Sequence, residues 1–235
     1  MSRARGMLQL AFTALLIPSG ESEKGAILSL DKVQEMGPED PRGARTILDG
    51  AGIRRTLMRI AHEILERSED PDRIYLVAIP NGGVPLARLI AENLEQIADL
   101  KVAVGILDTT LYRDDLTSTS ERPMLRRTEM PSAVDDRVVI LVDDVVKTGR
   151  TIRAAMDALM DFGRPRAVQV VGLVDRGHRE LPIKLDYVGK NVPTSPGENV
   201  RLLGGSGDLH GRLAVVIEPR APDRAMDAMG GEESA

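Results

Sequence analysis

The sequence predicts an α/β fold built on a parallel, doubly wound sheet. Apolar runs of strand length, Ile74 to Ile79, Val102 to Leu107, Val138 to Val142 and Ala167 to Val174, alternate with amphipathic helical patterns. Strands buried on both faces read as near-continuous apolar runs, and regular alternation with helices argues for parallel pairing. The run ending at Val142 gives way at once to two carboxylates, Asp143 and Asp144, then to Thr148-Gly149-Arg150-Thr151. Open α/β sheets place ligands at such carboxyl ends of strands.

The elements follow in order. Met1 to Gly43 is rich in Gly, Pro, Ser and acids without a sustained period, and is read as a mostly disordered extension. Inside it, Met7 to Ile17 resembles a signal-peptide core but ends in Pro18-Ser19-Gly20 without a small-x-small cleavage site. A non-native leader, with translation starting at Met7 or Met36, or a floppy tail is the expectation. Asp49 is placed to cap a helix running to about Arg67, with Ile53, Leu57, Ile60, Ala61 and Ile64 on one face. Strand Ile74 to Ile79 leads into a turn, Pro80-Asn81-Gly82-Gly83, and a helix from Val84 to Ile97. After strand Val102 to Leu107, Thr110 to Val134 is a long polar loop, of a length that is usually functional or mobile. Strand Val138 to Val142, helix Ile152 to Phe162 and strand Ala167 to Val174 complete the series. Asp175 to Pro182 is a charged excursion. Leu185 to Val188 and Val200 to Leu203 are short strands, and Leu213 to Ile217 is a last edge strand. The folded domain is expected over residues 44–219, with 220–235 as a flexible tail.

Composition narrows the chemistry. The 235 residues carry a net charge of −5, so a nucleic-acid site has to be a local basic face. The absence of cysteine removes disulfides, thiolate catalysis and cysteine zinc sites, and three scattered histidines make no metal cluster. Aromatics at 2% with no Trp argue against a base-stacking platform. No segment is long enough to span a membrane.

The stretch from Val138 to Thr151 concentrates the chemistry. Free N–H groups in the first turn of a helix hold phosphate, Thr148 and Thr151 add hydroxyl donors, and Gly149 allows close backbone approach. Asp143 and Asp144 are poorly suited to phosphate. They suit ribose hydroxyls or a magnesium ion beside them. An acidic strand end before an ordinary helix cap is the bland alternative.

This stretch resembles the phosphoribosyl diphosphate (PRPP) signature of type I phosphoribosyltransferases. Ile53 to Arg67, DTTLYRDDL (Asp108 to Leu116) and LVDRGHRELPIKLDYVGKNVPTS (Leu173 to Ser195) narrow the resemblance to the PyrR family. It covers about Arg45 to Pro219. Members of that family are uracil phosphoribosyltransferases that also regulate pyrimidine operons by binding messenger RNA. The resemblance implies conversion of uracil and PRPP to UMP and diphosphate with Mg2+. It makes Asp143, Asp144 and Arg113 the catalytic set, with Asp143 and Asp144 serving the metal largely through PRPP and water. It assigns Val145, Val146, Lys147, Thr148, Gly149, Arg150 and Thr151 to the 5-phosphate and Asn81, Gly82 and Gly83 to the diphosphate. The base hood is Asp175, Arg176, Gly177 and His178. The loop around Arg113 becomes a flap that closes over PRPP and excludes water.

Two departures stand out. Lys147 replaces a usual aromatic residue, at a position where backbone groups do the binding. Asn81-Gly82-Gly83 replaces the usual Thr-Arg-Gly and lacks its cation, which implies PRPP binding weaker by roughly 1.5–3 kcal/mol unless Arg113 compensates. Restoring the pair by Asn81→Thr with Gly82→Arg is expected to recover that binding.

Arg54, Arg55, Arg59, His62 and Arg67 partly share one helix face, which spacing alone reads as a solvated surface. The resemblance makes Arg59, His62, Arg67, Arg179, Lys184 and Lys190 candidates for RNA contacts, through phosphates and shape. Expected partners are PRPP, uracil, UMP or UTP, and an mRNA leader. A homo-oligomer, dimeric or larger, in the cytoplasm and without membrane contact, completes the expectation. Two other readings stay open. One is a nucleotide-sensing RNA-binding regulator with little turnover, and the other a phosphoribosyltransferase for another base.

Overall fold

The structure is a computed structural model that describes residues 44–80, 82–114, 127–204 and 213–219. The extension over 1–43, Asn81 and the tail from 220 lie outside the described residues. A five-stranded sheet, all parallel, runs in the order β3 (Val104–Ile106), β2 (Ile74–Ala78), β4 (Val138–Val146), β5 (Ala167–Asp175), β6 (Tyr187–Asn191). The doubly wound class predicted from alternation therefore holds.

Period-two geometry divides the core between two faces. Ile74, Leu76 and Ala78 of β2 point to one face, with Ile140 and Val142 of β4. Helices α1 (Gly50–Arg67) and α2 (Gly83–Ala98) cover that face with Ile53, Leu57, Ile60, Leu86, Ile90 and Leu94. Tyr75, Val77, Val139 and Leu141 point to the other face, against Ile152, Ala155 and Leu159 of α3 (Arg150–Met160). Asp49 caps α1 as expected, accepting from Gly52 N at 2.6 Å.

The two ends of the domain depart from expectation. A strand the sequence reading missed, β1 (Arg45–Leu48), pairs antiparallel with β8 (Ala214–Pro219). On its other side β8 pairs with β7 (Glu198–Leu203). The strand expected as a last edge is thus the centre of a separate three-stranded sheet. The edge of the main sheet is β6, which begins two residues later than the predicted strand at Leu185.

Strand β4 also outruns its prediction. It passes through Asp143 and Asp144 to Val146, because β5 continues to offer partners: Val145 aligns with Val174, and Val146 with Asp175. Acidic residues end an isolated strand pattern, but a neighbouring strand's unpaired backbone groups extend it.

Candidate active site

Topology fixes the site. The chain goes from β2 through α2 to β3 on one side, then returns across β2 to β4 and proceeds to β5 on the other. The order reverses between β2 and β4, so a crevice opens outside their carboxyl ends. The N-terminus of α2 follows β2 there, and the N-terminus of α3 follows β4. Two positive helix ends therefore flank one crevice, with Asp143 and Asp144 on the strand between them.

Asp143 is buried, at 6% exposure, and accepts from Asp144 N at 3.0 Å. Burial first, then the adjacent Asp144 carboxylate, push the Asp143 carboxyl well above its ordinary range. Arg113, brought from the loop after β3, acts in the opposite direction on that carboxyl. The catalytic set named from the sequence is thus assembled from two distant segments.

The loop expected to take the 5-phosphate is shorter than the sequence reading gave it. Val145 and Val146 belong to β4, and Val146 is buried with its carbonyl accepting from Arg176 N at 3.0 Å. The loop proper is Lys147-Thr148-Gly149, and α3 starts at Arg150. Gly149 adopts a φ of 92°, a left-handed conformation that favours glycine at this turn. Thr148 Oγ1 accepts from Arg150 N at 3.3 Å. The Arg150 side chain is engaged by two carboxylates: Nε donates to Glu180 at 2.7 Å and Nη1 to Asp114 at 2.8 Å. Thr151 is half-buried in the first turn of α3.

The diphosphate turn is tightly packed. A side chain at Gly82 would overlap the Asp144 carboxylate, and a Cβ at Gly83 would overlap Val142 O. Glycine at both places lets this turn lie directly against the carboxyl end of β4. An arginine at position 82, expected from the sequence to restore a cation, therefore requires the Asp144 side chain to shift.

The residues expected to form the hood come together with Val192, Thr194 and Glu198. Val192 N donates to Asp175 O at 2.8 Å, and Gly177 N to Asp175 Oδ1 at 2.9 Å. Arg176, 5% exposed, donates from Nε to Thr194 Oγ1 at 3.1 Å and from Nη2 to Glu198 O at 2.7 Å. His178 Nε2 lies 2.6 Å from Thr194 O, and its φ is 58°. The sequence alone assigns no individual contact to Thr194, Glu180, Asp114 or Arg153. Their partners are remote in sequence, which no local pattern records.

The RNA candidates divide. Arg179 is turned inward, donating to Lys147 O at 2.7 Å, Ile183 O at 3.0 Å and Asp175 Oδ2 at 2.9 Å. It braces the phosphate loop and is apart from the basic helix face. Arg59, Arg67 and Lys190 gather along the β6 edge. Arg59 donates to the carbonyls of Val188 and Gly189 and pairs with Glu63. Arg67 donates to Asp186 O at 2.8 Å and stacks 5.2 Å over the Tyr187 ring. Lys190 donates to Ile47 O at 3.1 Å. His62 and Lys184 are exposed.

Among the described residues no group of three or more His, Cys, Asp or Glu is arranged to hold a metal, and no helix is long and apolar enough to cross a membrane. The Asp143–Asp144 pair still suits Mg2+, which binds through one or two carboxylates with substrate phosphates and water completing its shell. Adjacent carboxylates, one buried and raised by its neighbour, gain from a divalent cation.

Comparison with known proteins agrees with this geometry. The Phosphoribosyl transferase domain family matches residues 43–202. A bifunctional protein PyrR from Streptomyces coelicolor is 53% identical over 82% of this chain and 98% of its own length. One from Pelotomaculum thermopropionicum is 58% identical over 66% of this chain and 85% of its own. Among solved structures, a Trypanosoma cruzi hypoxanthine phosphoribosyl transferase superposes with a TM-score of 0.54 at 20% identity, covering 73% of this chain and 90% of that one. A Bacillus anthracis hypoxanthine-guanine phosphoribosyltransferase gives 0.53 at 17%, covering 72% and 96%. At these identities the structures show the fold alone, a parallel sheet of phosphoribosyltransferase kind. The chain belongs to the PyrR family, on a phosphoribosyl transferase domain.

Proposed function

We propose that this protein is a Mg2+-dependent uracil phosphoribosyltransferase, with residues 44–219 as the catalytic domain, that also regulates pyrimidine genes by nucleotide-dependent RNA binding. The observation that carries the enzymatic reading is two helix N-termini flanking one crevice, with a carboxylate pair between them. PRPP has that charge pattern: a 5-phosphate at one end, a diphosphate at the other and ribose hydroxyls between. The N-terminus of α3 with Thr148 and Thr151 takes the 5-phosphate, and the turn at Gly82 and Gly83 takes the diphosphate. Asn81, in the same turn, lies outside the described residues. Asp143 and Asp144 hold the ribose hydroxyls.

In the reaction the ribose C1–diphosphate bond breaks and a bond from C1 to uracil N1 forms, with the N1 proton released. Bound magnesium supplies charge to the departing diphosphate. Arg113 adds cationic charge on the same side and offsets the missing arginine of the diphosphate turn. The hood over 175–178 covers the base, and backbone donors and acceptors there suit the alternating carbonyl and N–H groups of uracil. Positioning and exclusion of water do the remaining work. PRPP is a cytosolic metabolite, so the enzyme works in the cytoplasm.

The regulatory reading rests on the β6 edge. Among the described residues Arg67 and Lys190 bond neutral carbonyls there, which leaves their charge available to RNA phosphates. Arg59, His62 and Lys184 extend this face, and a homo-oligomer would lengthen it. Steady-state assay of UMP formation with uracil, hypoxanthine, guanine and orotate tests the enzyme. Turnover with another base and none with uracil overturns the substrate. Filter binding of a pyrimidine-gene leader transcript with and without UMP tests the regulator, and binding unaffected by UMP overturns it.

A further inference from the structure

One guanidinium joins two segments that are distant in sequence, the loop root at Asp114 and the turn at Glu180. Arg150 stands at the first position of α3, directly after the phosphate loop. Its Nε donates to Glu180 of the hood at 2.7 Å, and its Nη1 donates to Asp114 at the root of the long loop at 2.8 Å. Asp114 and Glu180 have this cation in common and belong to different segments. The planar fork of arginine presents separate edges in fixed geometry, so moving one carboxylate moves the other. Arg153, one turn on, donates from Nη2 to Tyr112 O at 3.1 Å and lies 3.6 Å from Asp114. Tyr112 and Asp114 flank Arg113, whose charge acts on Asp143. The same helix end thus presents the phosphate loop, fixes the loop that carries Arg113, and ties both to the hood.

Stability does not explain this arrangement. The Arg150 side chain is 34% exposed and its two partners about half exposed. Exposed ion pairs contribute little to folding. Their effect is geometric.

We propose that Arg150 is a positioning residue that couples the base hood at Glu180 to the loop root at Asp114, so that the position of each of these two described segments depends on the other. The proposal rests on the uracil phosphoribosyltransferase reading for its ligand and concerns binding before any bond is made. A coupling of this kind is reciprocal.

UMP binding to the full chain tests it without requiring turnover. Affinities are measured by calorimetry for the native protein, Asp114→Asn, Glu180→Gln and the double variant, then for the same set carrying Arg150→Gln. Asp114 belongs to the flap root, so a hood confined to its own contacts would leave UMP affinity indifferent to Asp114→Asn. The expected result is a three- to fivefold loss for each single variant and no further loss in the double. With Arg150→Gln present, the two changes become independent, so that whatever losses they cause multiply in the double variant. Arg150→Lys is expected to recover one dependence and not both. Single losses that multiply in the double variant with Arg150 intact, or an Asp114→Asn affinity equal to native, overturn the coupling. Circular dichroism melting separates unfolding from lost coupling. A native protein that binds UMP with this pattern yet forms none from uracil and PRPP overturns the enzymatic reading and leaves the coupling standing.

Discussion

The two covers over the carboxyl end of the sheet are held by different physics. The hood leaves β5 and is fixed by backbone bonds: Glu180 N and Leu181 N donate to Thr148 O at 3.0 and 3.2 Å, and Val192 N to Asp175 O at 2.8 Å. A buried arginine, Arg176, pins it to Thr194 and Glu198. The flap root over 108–114 meets α3 through side chains at the surface: Asp114 with Arg150, Tyr112 O with Arg153, and the Tyr112 hydroxyl with Asp161. Buried hydrogen bonds are costly to break, whereas exposed ion pairs are worth at most about 1 kcal/mol. The 175–183 segment is therefore tied into the fold by backbone bonds and a buried arginine, whereas the 108–114 segment is held by weaker, exposed contacts.

The comparison breaks first at Arg176. Arg176→Ala leaves Thr194 and the Glu198 carbonyl without their donors and empties buried space, so a loss of about 2–4 kcal/mol is expected in urea unfolding. A loss near that of an exposed ion pair would put the hood on the same footing as the flap root.

The diphosphate turn lies between the two extremes. Gly82→Arg, alone or with Asn81→Thr, adds a cation but drives Asp144 from its place. Its kcat/KM is expected to fall about ten- to a hundredfold, the effect of losing one charged contact. Tighter PRPP binding with turnover intact would mean that Asp144 yields easily and that this turn behaves like the flap root.

Asp143 sets the floor beneath both covers. Its carboxyl is pushed up, first by burial and then by Asp144, so the folded chain holds that proton more tightly than the unfolded chain. Such a group's stabilising contribution is present at acid pH and is lost as pH rises through the folded value. Asp143→Asn removes the loss while reducing turnover. The variant's melting temperature should exceed native by a margin that widens as pH rises above the ordinary carboxyl range, each 1 kcal/mol appearing as about 2–4 °C. A margin independent of pH would remove Asp143 as the source.

Salt gives the smallest effect. Raising it to about 1 M shortens the screening length from about 10 to 3 Å. Amide exchange at Tyr112 to Asp114 is expected to quicken by about two- to fivefold, as the loss of under 1 kcal/mol allows. The amides of Glu180, Leu181 and Val192 should be unchanged. Equal responses would erase the distinction.

The sequence by itself determined what depends on local periodicity and local chemistry. The alternation of apolar runs with helical patterns gave the parallel sheet, Asp49 gave the start of α1, and the order acid, acid, loop, Thr-Gly gave the phosphate loop after a buried strand. Two quoted segments, around Asp175 to Ile183 and Gly189 to Ser195, met in one hood. Tertiary structure decided what depends on partners distant in the chain. Arg45–Leu48 is too short to announce a strand, and it became one because β8 presented an unpaired edge. Strand β4 continued through two carboxylates because β5 ran beside it. Arg179 turned inward because the carbonyls of Lys147 and Ile183 were within its reach. Arg113 came to act on Asp143 because a loop rooted on α3 carried it there. A side chain's charge is written in the sequence, but its partner is chosen by whichever remote backbone or carboxylate the fold brings within about 3 Å.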